Sequence, residues 1–222
     1  MNESPLHATI LFHIWLVPIS TPVVTTWGLM AVLTAGCWAA TRSLQKVAGS
    51  WQAVIETLVL GIEEQIEALL ARDPGPFVPL LGTLFIFLVT ANLSGIVPGV
   101  RAPTASIETP AALAAIIFLS VHLYGVRFQG LGAYLRGYLE PNPILLPLNI
   151  LSEITRSFSL AMRLFGNIMS EELVVAIILT LAGLFVPIPF MAFGILVGVV
   201  QAYIFSVLAA VYIGGGIGAI SK

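Results

Sequence analysis

Apolar residues in this chain come in long blocks, separated by short joints that carry the prolines, glycines and charges. The first block is 9–41, with Pro18 and Pro22 inside it. At about 1.5 Å rise per residue, Pro22–Ala40 is long enough to cross a bilayer as a helix. Segment 50–72 has a different pattern. Val54, Leu58, Ile62, Ile66 and Leu69 or Leu70 recur at helical spacing, with Glu56, Glu63, Glu64 and Glu67 between them. This predicts an amphipathic helix lying on the membrane surface or against a partner. Its acidic polar face favours a protein partner over anionic lipid. Asp73-Pro74-Gly75-Pro76 ends it. Blocks 77–98 and 110–127 predict two further spans, and Phe128–Glu140, with Gly130, Gly132 and Gly137, reads as a connection. Segment 142–184 then predicts one long helix, since Leu148–Leu184 contains no proline. Such a helix measures on the order of 55 Å, against roughly 30 Å of hydrocarbon, so it must tilt steeply within the membrane. Val186-Pro187-Ile188-Pro189 turns the chain, and 188–216 returns.

The predicted fold is therefore all-α. It is a polytopic membrane protein with about three ordinary spans, one amphipathic surface helix and a long tilted, membrane-embedded helical hairpin. The whole of 1–222 reads as one integral membrane domain, with no soluble domain and no internal repeat.

Composition supports the same class. Hydrophobic residues make up 58% of the chain and charged residues 9%, against roughly a quarter charged in soluble domains. Too few charges remain to cover a soluble surface, so membrane lipid must cover much of it. The net charge of −2 offers no basic face for nucleic acid. The single cysteine, Cys37, excludes an intrachain disulfide and reads as a small buried hydrophobe. His7, His13 and His122 are too scattered for a metal site, and no cofactor is expected. Residues 1–8 lack Lys and Arg, so the start does not read as a secretory signal. Arg42, Lys46, Arg72, Arg127 and Arg136 fall on one side of the predicted spans. By the positive-inside rule that side is cytoplasmic, which puts the N-terminus outside and the C-terminus in the cytoplasm.

The chemistry concentrates on the long helix, which carries Glu153, Arg156, Arg163, Glu171 and Glu172. A charge at mid-bilayer costs several kcal/mol. Arg163 sits among Leu160, Ala161, Met162, Leu164 and Phe165, with no acid three or four residues away. Its guanidinium stays charged, so it must meet water, another subunit's carboxylate, or both. At about 100° per residue, Ser159 and Asn167 lie within about 40° of Arg163, and Arg156 within about 20°. These residues form one polar stripe. Glu172 falls about 180° away and roughly 14 Å along the axis, so it should line a separate cavity. Glu171, about 80° away, could border either side. On the return helix Gln201 is the strong polar residue, either a helix–helix hydrogen bond or a positioner of Arg163. Tyr203 and Tyr212 read as packing residues. His122 reads as a packed, hydrogen-bonded histidine, with a channel residue as the alternative. A stripe with an offset acid fits two disconnected water paths better than one open pore.

Ser159-Leu160-Ala161-Met162-Arg163-Leu164-Phe165-Gly166-Asn167 resembles the SLxxRLFGN signature of subunit a of bacterial F-type ATP synthases. Ala91-Asn92-Leu93-Ser94-Gly95-Ile96-Val97-Pro98 resembles that family's second span. Pro147–Glu153 resembles its approach to the key helix. Gln201-Ala202-Tyr203-Ile204-Phe205, followed by Tyr212, resembles its last helix. The resemblance implies a stator facing a rotating ring of c-subunits, each with a mid-membrane carboxylate. Two half-channels would reach that interface from opposite sides. Arg163 would be the essential arginine. It would favour the ionised form of each passing carboxylate and repel cations that would otherwise leak between the paths. Asn167, Gln201 and Ser159 match supporting positions, and Glu172 matches an ionisable position of the outer path. Glu171, Glu153, Asn149, Asn92 and His122 are further candidates for lining the half-channels. Two departures stand out. Gly194 stands where some relatives carry a second ionisable residue, and Asn149 where many carry an acid.

Implied partners are the c-ring, the peripheral-stalk b subunits, other ATP synthase subunits and the translocated ion, H+ or Na+. The implied location is the bacterial cytoplasmic (inner) membrane. The sequence has no GxxxxGK[ST] loop, so the chain is expected to hydrolyse no ATP itself and to contribute no catalytic residue. The competing class is a secondary ion or anion transporter subunit with Arg163 as an anion ligand. That class would predict matched repeats or broken helices.

Overall fold

A computed structural model describes residues 10–14, 17–42, 49–96, 101–139, 144, 146–183 and 185–218. His7, Lys46, Pro98, Glu140 and Lys222 lie outside the described residues. Among the described residues seven α-helices follow a short hairpin: β1 (Ile10–Ile14), β2 (Val17–Ser20), α1 (Thr21–Thr41), α2 (Ser50–Leu70), α3 (Val78–Leu93), α4 (Glu108–Gln129), α5 (Leu131–Leu139), α6 (Leu146–Ala182) and α7 (Pro187–Gly216). Of these, α1, α4, α6 and α7 are long and apolar enough to cross a membrane, and α3 is a shorter apolar helix.

The apolar block 9–41 divides at its prolines. Residues 10–20 form the antiparallel pair β1–β2, and the helix begins only at Thr21. Pro18 sits within β2, and Pro22 takes the second position of α1, where a missing N–H costs nothing. Cys37 is exposed on α1 rather than buried. The stretch expected to be a connection holds a helix, α5. Gly130, at φ 81°, stops α4, and its carbonyl accepts the Tyr134 N–H at 3.0 Å to start the next turn.

Contacts group the chain into two compact units. The first takes the described residues of Met1–Lys46, Ile86–Pro110 and Met162–Tyr203. Its buried side chains include Leu88, Ala91, Leu164, Ile168 and Ala202. In it α1 packs against the 3-10 turn Pro103–Ala105. The second takes the described residues of Val47–Phe85, Ala111–Ala161 and Ile204–Lys222. Phe77, Ile117, Leu160, Phe205 and Ile213 are buried there, with Phe77 stacked on Phe128 at 5.4 Å. Large apolar side chains stay exposed all along the helices, among them Trp38, Leu119, Phe158, Leu181 and Phe193. Exposure on that scale requires lipid rather than water as the solvent.

Candidate functional site

The site is built on α6, which runs unbroken for 37 residues. Two turns beyond Arg156, the Arg163 side chain is exposed. Among the described residues no side chain pairs with it. Its flanking residues Leu164 and Ile168 are buried, so the helix turns one side to the protein and leaves Arg163 on the other.

One turn further, Asn167 donates its Nδ2–H to Gln201 Oε1 of α7 at 2.8 Å. Gln201 is only 3% exposed, and its Nε2 has no partner among the described residues. A buried amide group left unpaired costs roughly 1–3 kcal/mol, and water is the natural remedy. Asn92 of α3 donates to the Gly198 carbonyl at 2.8 Å and leaves its Oδ1 buried and unpaired. In the first unit Asn167 of α6 thus meets Gln201 of α7, and Asn92 of α3 meets the α7 backbone at Gly198. Tyr203 is exposed at 46%.

Glu171 and Glu172 diverge. Glu171 lines a cavity of about 520 Å³ shared with Asn167, Ser170, Phe190 and Gly194. Glu172 turns elsewhere: its Oε2 lies 3.5 Å from Arg101 Nη2, and its Oε1 accepts the Ala102 N–H at 3.3 Å. No pattern in the sequence marks Arg101, whose partner lies 71 residues away in the numbering.

The second unit holds its own cavity, about 730 Å³, lined by Asn149, Ser152, Glu153, Arg156, Tyr134 and Tyr212 among others. Arg156 lies over the Tyr212 ring, 5.9 Å from its centroid. That gives Tyr212 a charge contact beyond plain packing. His122 Nδ1 sits 2.8 Å from the Phe118 carbonyl and 4.0 Å from Glu153 Oε1, so it is both packed and next to a cavity acid. Ser159 lies on α6 one turn before Arg163.

Arg163, exposed on the long helix α6, is followed one turn on by Asn167, which is bonded to Gln201 of α7. The sequence matches the family of ATP synthase A chains over residues 23–214.

The chain belongs to the ATP synthase A chain family.

Among its relatives, ATP synthase subunit a 2 of Bradyrhizobium sp. is 59% identical over 222 residues, covering all of both chains. ATP synthase subunit a 2 of Pelobacter propionicus is 46% identical, over 93% of this chain and 91% of that one. ATP synthase subunit a of Albidiferax ferrireducens is 48% identical, over 88% and 85%. As an A chain with four helices long and apolar enough to span, the protein is an integral membrane protein.

Proposed function

We propose that this A chain is the non-catalytic stator subunit of an F-type ATP synthase. In this reading it lies in a bacterial inner membrane and partners a c-ring and the b subunits of a peripheral stalk. The N-terminus is outside and the C-terminus cytoplasmic. The single observation that carries the reading is Arg163: a permanent charge on an apolar spanning helix, exposed and unpaired among the described residues. Such a cation is tolerable only where an anion or water comes to meet it. A ring carboxylate arriving at Arg163 stays ionised, gives up its ion, and moves on. The same charge bars cations from passing directly between the two half-channels.

Asn167 and Gln201 hold the α6–α7 contact beside the arginine, and Ser159 extends its polar face by a turn. One half-channel draws on the cavity with Asn149, Glu153 and Arg156, with His122 at its acid. The other draws on the Asn92 side and the Glu171–Glu172 step, where the family resemblance assigns the acid to Glu172. The ion is H+ or Na+.

Replacing Arg163 with Ala tests this. The complex should assemble in normal amount, because the side chain bonds nothing among the described residues, while gradient-driven ATP synthesis disappears. Coupled synthesis at the parent rate would end the proposal.

A further inference from the structure

His122 of α4 meets side chains of both α5 and α6. Its Nδ1 lies 2.8 Å from the Phe118 carbonyl, one turn back on its own helix. A carbonyl oxygen only accepts, so Nδ1 carries the hydrogen and Nε2 the lone pair. Among the described residues nothing bonds Nε2. The ring is held by Phe118 at 4.4 Å and by the edge-on ring of Tyr134 of α5 at 6.0 Å. The side chain is still 37% exposed. Proton uptake at Nε2 therefore breaks no existing bond among the described residues. It places a positive ring 4.0 Å from Glu153 Oε1 of α6. Glu153 lines the cavity of about 730 Å³. Each residue sits two turns inside the end of its helix, Gln129 for α4 and Leu146 for α6.

We infer that His122 is a positioning residue that acts through Glu153: neutral, it leaves the carboxylate open to a passing cation; charged, it occupies the carboxylate and slows ion exchange through this cavity. The inference rests on the reading of the cavity as a half-channel. An arriving monovalent cation and an imidazolium at this distance compete for the same oxygens. Opposite charges at such range change a carboxylate's hold on a second cation by about tenfold or more. The other charged or titratable groups lining the cavity are Arg136 and Tyr134 of α5, Arg156 of α6 and Tyr212 of α7. Guanidinium stays charged and phenol neutral near neutral pH, and Arg156 lies over the Tyr212 ring. They form a fixed background. Imidazole is the side chain that ordinarily changes charge between about pH 5 and 8. The sign follows directly. His122 is neutral on the alkaline side and an imidazolium on the acid side, so acid in the medium that this cavity faces slows exchange.

The test uses inverted membrane vesicles carrying the assembled complex, in which the cytoplasmic face meets the medium and ATP drives ion uptake. Rates per assembled complex are followed from about pH 8 to about pH 5.5, across the ordinary titration of imidazole. Each variant is divided by the parent at the same pH, which removes the pH dependence of the catalytic sector and of ion supply. The ratio for His122→Gln should rise at least about threefold toward acid, a conservative share of the tenfold charge effect. A residue that only packs gives a ratio that does not move with pH. His122→Lys keeps its charge throughout, so it should be slower than the parent at the alkaline end and approach it at the acid end. In a Glu153→Gln background, adding His122→Gln should no longer change the pH profile. A flat ratio for His122→Gln overturns the inference. So does a pH-dependent ratio that survives the loss of the Glu153 carboxylate, or a His122→Lys variant as fast as the parent at the alkaline end. If Glu153→Gln alone transports at the parent rate at every pH, the half-channel reading of this cavity has failed and the inference falls with it; if Glu153→Gln is slow while the His122→Gln ratio is flat, only the present inference has failed.

Discussion

A single side chain could be read from the sequence when its position was energetically awkward. Arg163 was legible because a guanidinium in a hydrocarbon-length helix without a neighbouring acid has few explanations. Gln201 was legible for a milder version of the same reason, as an amide in an apolar run. Its hydrogen bond at 2.8 Å from Asn167 joins α7 to α6 one turn beyond the arginine. The difference in surroundings between Glu172, held by Arg101 and Ala102, and Glu171, which lines a cavity, was not legible. It depends on where Arg101 and Ala102 fold back, and no helical wheel contains that information. The Asn167–Gln201 bond carries its own expectation. Gln201→Leu fills the buried volume but leaves Asn167 Nδ2 without its acceptor. Asn167 is exposed, so water can take the freed Nδ2–H and the cost is nearer the roughly 0.5–1.5 kcal/mol of an ordinary hydrogen bond. With α6 and α7 no longer pinned beside Arg163, synthesis per assembled complex should fall while ATP hydrolysis by the catalytic sector persists. Unchanged coupling in Gln201→Leu would reduce this bond to ordinary packing.

Elements were legible where length and period agreed, and not where composition hid a break. Residues 10–20 are as apolar as the helix that follows, so the block looked continuous; Pro18 and Pro22 marked the change to a hairpin and a helix start. The reverse happened at α5. Three glycines suggested a connection, yet Tyr134 is buried on this helix and fills the space beside Gly125 of α4. Burial of one aromatic outweighed weak helix propensity. Two substitutions separate these effects. Gly125→Val places methyl groups where the Tyr134 ring already lies, and should lower the amount of assembled complex. Gly132, by contrast, has open space within 4 Å of the point where an alanine methyl group would sit. Gly132→Ala should therefore be neutral or stabilise by about 0.5–1 kcal/mol through helix propensity alone. Thermal inactivation of the purified complex reads both. If Gly132→Ala destabilises as much as Gly125→Val, α5 is not held by the Tyr134 contact.

At the scale of the molecule, the exposed surface is itself a claim about neighbours. Exposed Leu, Ile, Val, Phe and Trp run along the helices, and lipid accounts for them. The Arg163 face is different, because it carries polar groups that lipid cannot satisfy. Ser170 and Val174 lie within about 20° of Arg163 around α6 and are exposed, Val174 at 44%. Leu179 is equally exposed at 44%, but lies about 160° away around the same helix. If the arginine face meets a rotor and the opposite face meets lipid, these positions must differ in reactivity despite equal exposure. The chain's single cysteine, Cys37, can be removed first as Cys37→Ser, since it is exposed on α1. Ser170→Cys and Val174→Cys should then cross-link to the ring subunit with a short bifunctional reagent. Leu179→Cys should not, while reacting readily with a membrane-soluble thiol probe. Because exposure is matched, the contrast reports which face the rotor occupies. Cross-links from Leu179 and none from Ser170 or Val174 would place the ring on the wrong side of α6 and leave Arg163 with no carboxylate to meet.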